Sequence, residues 1–344
     1  MKIVKTLQTG LALLLLTCAA CSTGNAASGG KTVLRLGYFP NITHATAIAG
    51  VEKGIFAQSL GSGVTLQTQT FNAGPAAVEA LFSGALDASY VGANPAINAF
   101  VRSHGAAIRI VSGATSGGAF LVVKPGIDNP GALKGKKLAA PQLGNTQDVA
   151  LRSWLTSKGL TIKGASGGDV DVIDQDNAQT LDSFRSGDVD GAWVPEPWAS
   201  RLVLQAGGKV LVDERDLWPH GDYVTTQLVV RTDYLKAHRD VVERLVRGQV
   251  EANTFVNEHA AEAKQLVAAA IARLTGKALP STVIDRAWSN LRFTNDPIAA
   301  SLRRSADAAH ALGLLDSVDL TGIYDLSLLN AILTAQGKAA ISTG

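Results

Sequence analysis

Cysteine is nearly missing from this chain of 344 residues, and the two it has, Cys18 and Cys21, both fall within the first 21 positions. Beyond them the sequence offers no disulfide, no thiol nucleophile and no thiolate metal site, so their CxxC spacing carries no redox meaning for a folded domain. Histidine is scarce too, and the six present (His44, His104, His220, His238, His259, His310) show no metal-binding spacing with one another or with carboxylates. No metal and no cofactor is expected. Net charge is also lacking, with 31 Lys and Arg against 29 Asp and Glu. Because residues 1–21 hold Lys2 and Lys5 and no acid, the remainder is formally neutral, which argues against a nucleic-acid partner. Catalytic frames are absent as well. Gly164-Ala165-Ser166-Gly167-Gly168 fits a nucleophile-elbow pattern but precedes a strand-like stretch, whereas the elbow needs strand, turn and then helix. Gly135-Lys136-Lys137 lacks the frame of a phosphate loop, and no dinucleotide fingerprint occurs. No catalytic residue is assigned.

What the chain does have is the bulk of an ordinary globular protein, 46% hydrophobic and 17% charged, long enough for two lobes with real cores. Its start reads as a targeting segment, since Lys2 and Lys5 precede an apolar run at 11–16 that is too short to span a bilayer, followed by small residues. The segment resembles a bacterial lipoprotein signal: Ala19-Ala20-Cys21 fits, although Cys18 stands where that family usually has Leu. The resemblance implies that Cys21 is lipidated, with 1–21 a signal and 22–31 (STGNAASGGK) a flexible tether. Ordinary cleavage is the alternative.

An internal repeat organises the rest. Ser83-Gly84-Ala85-Leu86-Asp87-Ala88-Ser89-Tyr90-Val91 answers to Ser186-Gly187-Asp188-Val189-Asp190-Gly191-Ala192-Trp193-Val194, and Lys53-Gly54-Ile55 to Lys158-Gly159-Leu160. Strand and helix patterns alternate in the first unit at 33–37, 45–53, 64–71, 75–83, 88–91 and 95–104, and in the second at 137–140, 146–158, 170–173, 178–186, 191–194 and 197–206. That order predicts an α/β protein of two parallel-sheet lobes. Two apolar strands, 119–123 and 223–230, are the expected crossings, with hinges near Phe120 and Thr226. Lobe 1 is then 32–120 with 226–344, and lobe 2 is 121–225. Val242, Leu245, Val246, Val250 and Val256 share one helical face, so the C-terminal helices are expected to buttress lobe 1.

In open parallel sheets ligands bind beyond the carboxyl ends of the strands, which here carry the loops 37–44, 92–95, 141–148 and 195–198. Asn94 before Pro95, Asn145 with Asp148 three residues on, and Pro197 all mark helix starts. Free N–H groups and the helix dipole make anion sites without Lys or Arg, and these loops contain neither. The expected ligand is therefore a small, singly charged oxyanion rather than a phosphate monoester. Candidate binding residues are Tyr38, Phe39, Asn41, His44, Asn94, Gly118, Asn145, Thr146, Gln147, Glu196, Trp198 and Tyr223, with aromatic rings for an apolar tail and His44 as a donor. Glu196 either meets a ligand amine or caps its own helix; His44 and Asn94 have equally plain roles as loop and cap residues.

Taken together, Gly37-Tyr38-Phe39-Pro40-Asn41-Ile42-Thr43-His44, Glu52-Lys53-Gly54-Ile55-Phe56, Ser83-Gly84-Ala85-Leu86-Asp87, Leu133-Lys134-Gly135-Lys136-Lys137, Gly144-Asn145-Thr146-Gln147-Asp148 and Glu196-Pro197-Trp198-Ala199 span nearly the whole mature chain. In order and spacing they resemble the periplasmic-type binding proteins for aliphatic sulfonates, taurine, nitrate and related anions. The resemblance implies a type II two-lobe fold that closes on its ligand by a hinge motion, works as a monomer and delivers the ligand to the permease subunits of an ABC importer. It also implies a place in the periplasm or on the outer face of the cytoplasmic membrane, held by the lipid anchor. It puts the anionic head at the helix opening at Asn145 and Thr146. An aliphatic sulfonate is the first expectation, with taurine, nitrate, bicarbonate or a thiamine-precursor heterocycle as alternatives. A thiamine-pathway enzyme of similar fold resembles a chain with active-site cysteines, which are lacking here. Regulators of similar fold carry a DNA-binding module where this chain has a secretion signal.

Overall fold

The computed structural model describes residues 31–343, so the signal, Cys21 and all of the tether but Lys31 lie outside the described residues. The first repeat unit runs β1 (Thr32–Tyr38), α1 (Ala45–Glu52), α2 (Ile55–Leu60), β2 (Val64–Thr70), α3 (Gly74–Phe82), β3 (Ala88–Val91) and α4 (Ala93–Arg102). Two strands follow, β4 (Ile108–Gly117) and β5 (Ala119–Val123). The second unit is β6 (Lys137–Ala140), α5 (Thr146–Ser157), β7 (Asp171–Asp174), α6 (Asn177–Ser186), β8 (Gly191–Pro195) and α7 (Trp198–Ala206). After it come β9 (Lys209–Asp213), β10 (Val224–Arg231), α8 (Thr232–Ala237), α9 (Arg239–Glu258), α10 (Ala260–Thr275), α11 (Ser281–Ser289), β11 (Leu291–Phe293), α12 (Ala299–Ala311) and α13 (Ser327–Ala335).

Each unit builds the same parallel trio, with its first strand in the middle: β2-β1-β3 in one sheet and β7-β6-β8 in the other. The sheets are mixed, not purely parallel as expected, because strands that travel between the units join them antiparallel. β10 pairs with β3 and β4, and β5 pairs with β8 and β9. The expected boundaries at 120/121 and 225/226 fall inside β5 and β10. Pairing puts β5 wholly in the second sheet and β10 wholly in the first, so the chain changes sheets at Gly117–Gly118 and between Asp213 and Val224. Both glycines have positive φ, 82° and 79°, and a Cβ on Gly118 would collide with Leu291 Cδ2. Only glycine makes that turn without strain.

Helices cover both faces of each sheet, which is why β3, β5 and β8 are buried along their full length. Val242, Leu245, Val246, Val250 and Val256 on α9 pack into one core with Ile48 of α1, Phe56 of α2 and Leu36 of β1. Burying such side chains stabilises by roughly 1.5–3 kcal/mol each, so the C-terminal helices are integral to the first lobe. The second lobe has its own smaller cores, one on each face of its sheet.

Candidate ligand-binding cleft

The carboxyl ends of both parallel trios point into one cleft, where their loops enclose a cavity of about 30 Å³. The first lobe contributes Phe39, Asn41, Thr43, His44, Asn72, Gly92, Thr225 and Thr226; the second contributes Pro141, Asn145, Thr146, Gln147, Asn177 and Pro195. None is Lys, Arg, Asp or Glu. A polar space of this size exceeds what a single water needs and suits a compact polyatomic head.

In the first lobe, the chain leaves β1 through one helical turn at Ile42–His44 that folds the imidazole back over Phe39. The rings stack at 4.3 Å, and the Phe39 amide donates to His44 Nδ1 at 3.3 Å. Nδ1 is therefore an acceptor and the proton belongs to Nε2. Burial pulls His44 down to about 3, so it stays a neutral donor. Thr115 Oγ1 donates to the Thr43 carbonyl at 2.7 Å, which pins the same turn to β4.

In the second lobe, Asn145 caps α5: its Oδ1 accepts from the Thr146 amide at 3.0 Å and its carbonyl from Val149 at 3.0 Å. Gly144 N donates to Asp148 Oδ2 at 2.9 Å, a reciprocal brace on the same end. Burial lifts the Asp148 carboxyl, and the Gly144 amide and Arg152 (Nε to Oδ1, 2.6 Å) oppose that rise. The first-turn amides of Gln147 and Asp148 have no intrahelical acceptor, and the positive end of α5 faces the cavity. Two buried atoms on the cavity residues, Thr226 Oγ1 and Asn177 Oδ1, have no hydrogen-bond partner. Leaving such a group unpaired costs about 1–3 kcal/mol; for the Thr226 hydroxyl, which can donate, a bound anion would remove it, whereas Asn177 Oδ1 needs a donor.

The lobes touch around the cavity, so the described arrangement is closed. Asn94 N donates to Thr146 Oγ1 at 3.4 Å, Trp198 Nε1 to Asn41 Oδ1 at 2.9 Å, and Asn72 Nδ2 to Asp176 Oδ2 at 3.4 Å.

Of the candidate residues, Phe39, Asn41, His44, Asn145, Thr146 and Gln147 are brought together here. The others lie elsewhere. Tyr38 is in the core of the first lobe, because successive strand side chains point to opposite faces. Gly118 serves the crossing. Glu196 accepts from Ser200 N (3.0 Å), Ser200 Oγ (2.8 Å) and Asn290 Nδ2 (2.8 Å), so its carboxylate caps α7 and ties that helix to the first lobe. Tyr223 stacks on Trp218 at 5.5 Å while its hydroxyl accepts from Ala119 N at 3.1 Å. Asn94 donates from Nδ2 to the Ser305 carbonyl at 3.3 Å and borders a separate groove beyond Thr146. Trp198 stands at the mouth of the cavity.

Asn72, Asn177, Thr225 and Thr226 line the cavity as well, outside the residues expected from the sequence. Asn72 and Asn177 follow β2 and β7, equivalent strands of the repeat, so a third pair of loops was legible beside the two chosen. The two threonines open the polar trio Thr225-Thr226-Gln227 inside the stretch YVTTQLVV. Among the described residues no cluster of three or more His, Cys, Asp or Glu could hold a metal ion, and no helix is long and apolar enough to cross a membrane.

Comparison with known proteins gives this geometry a context. The family model described as the NMT1-like family matches residues 27–272. The taurine-binding periplasmic protein of Escherichia coli (strain K12) is 28% identical over 195 residues, 56% of this chain and 57% of that protein, so the match spans little more than half of that relative's length. A Bacillus subtilis (strain 168) protein named for aliphatic sulfonates binding is 25% identical over 92% of this chain and 93% of its own. Among solved structures, the alkanesulfonate-binding protein SsuA from Xanthomonas axonopodis pv. citri, bound to MOPS, superposes with a TM-score of 0.68 at 21% identity, covering 84% of this chain and 96% of that one. The shared fold is that of periplasmic binding proteins.

Proposed function

Because the chain belongs to the NMT1-like family, we propose that it is the extracytoplasmic solute-binding component of an ABC importer, taking a small anion by a singly charged oxyanion head between its lobes and passing it to the permease. An aliphatic sulfonate is the ligand of choice. One observation carries the reading: a cavity closed from both lobes, free of charged side chains, offers a helix N-terminus, a neutral imidazole and the buried Thr226 hydroxyl, which has no partner among the described residues. Such fixed neutral donors suit a head group that carries one charge over three oxygens. The relatives named for taurine and sulfonates agree in ligand class. We assign the protein no catalysis, since the titratable ring in the cavity is held neutral and makes a poor base.

A thermal-shift panel of ethanesulfonate, taurine, nitrate and bicarbonate tests this. At a hundred times its dissociation constant the true ligand should stabilise by about 2.7 kcal/mol. If no member raises the melting temperature, the reading fails; a response to nitrate or bicarbonate alone would keep the transport role and replace the sulfonate. The reading also includes a lipid anchor at Cys21, which would hold the donor near the importer. Cys21→Ala protein should then leave the membrane fraction in a strain lacking the importer, and its retention there would dismiss the anchor.

A further inference from the structure

The cavity does not end at its loops. Through Asn41, Asn72 and Asn177 it continues into an outer groove of about 270 Å³. Next to the cavity this groove is walled by Trp198, and farther out by Ile271, Leu274 and Leu279 of the first lobe. The indole is fixed from the cavity side by its bond to Asn41 Oδ1, and the Arg201 guanidinium lies over the ring at 4.6 Å. Apolar lining of this kind fits a short hydrocarbon spacer.

The charges in the groove are unbalanced. Arg201 comes from the second lobe and Lys277 from the first, and among the described residues neither forms an ion pair; the Arg201 Nε donates instead to Gln205 Oε1 at 3.0 Å. Partial burial and the nearby Arg185 both weigh against the charged form of Arg201, while Asp182 favours it. The one acid lining the groove, Asp176, accepts from Asn72 Nδ2 and stands at the start of α6, where a negative charge is already favoured by the helix dipole. One positive charge is left over, and it is shared between the lobes.

Resting on the function proposed above, we infer that the ligand is a two-headed anion: an oxyanion in the inner cavity, a short apolar spacer along Trp198, and a second anionic group met by Arg201 and Lys277. A methyl-ended tail would leave both cations unanswered, and an amine-ended one would meet a surplus of positive charge. A second anion placed between cations of opposite lobes also favours closure, since it interacts with both only when the cleft is shut.

Calorimetric titration of the full chain with 3-sulfopropanoate, 1-propanesulfonate and 3-aminopropanesulfonate tests this, the three probes differing only at the far end. The carboxylate-ended probe should bind about ten-fold more tightly than the methyl-ended one, and the amine-ended probe should bind most weakly. In the Arg201→Gln/Lys277→Gln double variant the ratio of the first two affinities should fall to about one, and Lys277→Glu should move the preference toward the amine. A wild-type ratio of one or below, or a ratio that the double variant leaves intact, overturns the inference while sparing the sulfonate reading. Binding of none of the three overturns both. Melting temperatures of the variants separate loss of the preference from loss of the fold.

Discussion

The two lobes share one strand order yet bring different things to the cleft. The first brings a braced turn. The turn carrying Phe39 to His44 is already bonded within itself, to β4 and across to Trp198, so it presents a fixed surface and a fixed imidazole donor. The second brings an open helix end, whose first amides await an acceptor. In each lobe burial also shifts a titratable group strongly. Burial pulls the His44 imidazole down to about 3, and burial lifts the Glu214 carboxyl to about 7 even though Trp193 Nε1 (2.7 Å) and Trp218 Nε1 (3.4 Å) donate to it. The cause is the same and the sign opposite, because desolvation always favours the uncharged form. Repetition of backbone architecture therefore does not repeat chemistry: the first lobe supplies a fixed wall with a neutral imidazole and a threonine hydroxyl, the second an open helix end and a carboxyl that titrates in the opposite sense.

The sharpest way to break the pairing of the lobes is at Gly92, where a Cβ would overlap Thr146 Oγ1 across the cleft. Its φ of −75° suits any residue, so the fold should tolerate a side chain while closure should not. Gly92→Val should weaken the true ligand more than about a hundred-fold by calorimetry and leave an open profile in small-angle scattering when ligand is added. A closed profile with wild-type affinity would mean that the lobes do not need this contact distance.

The titrating pair comes next in size. His44 has its folded pKa below the unfolded value of 6.5, so its contribution to stability is present above 6.5 and is lost as the pH falls toward about 3. Glu214 has its folded pKa above the unfolded 4.5, so its contribution is present below 4.5 and is lost as the pH rises through about 7. Between about 4.5 and 6.5 the two slopes oppose each other at about 1.4 kcal/mol per pH unit and nearly cancel. Glu214→Gln should uncover rising stability with pH in that window, and His44→Gln should uncover falling stability. Denaturant melts at four or five pH values decide it; parallel curves for both variants would mean that neither group is titrating as described.

The smallest effect is the most specific. Thr226→Val removes a buried hydroxyl with no partner, so it should raise the stability of the unliganded protein by about 1 kcal/mol while weakening the ligand about ten-fold. Loss of stability together with unchanged affinity would return Thr226 to the scaffold.

Much of this was readable from residue order alone. β3 and β5 form at 88–91 and 119–123 as the apolar patterns require, and α5 begins at the Asn145 cap with its brace from Asp148. These are local matters, in which a cap, a period or a turn residue acts within a few positions of itself. The strands β4 and β9 were not anticipated, since each is defined by pairing with β10 or β5 rather than by a pattern of its own.

The sequence by itself determined the doubled strand-and-helix units, the helix starts and the absence of Lys and Arg from the candidate loops. Tertiary structure decided which of those residues line the cavity. Tyr38, Glu196 and Tyr223 turned inward to core and caps, whereas Asn177 and Thr226 turned toward the cavity, because facing depends on sheet register and on partners more than fifty residues away. A side chain's neighbours along the chain set its conformation, but its neighbours in space set whether its polar atoms are already spent.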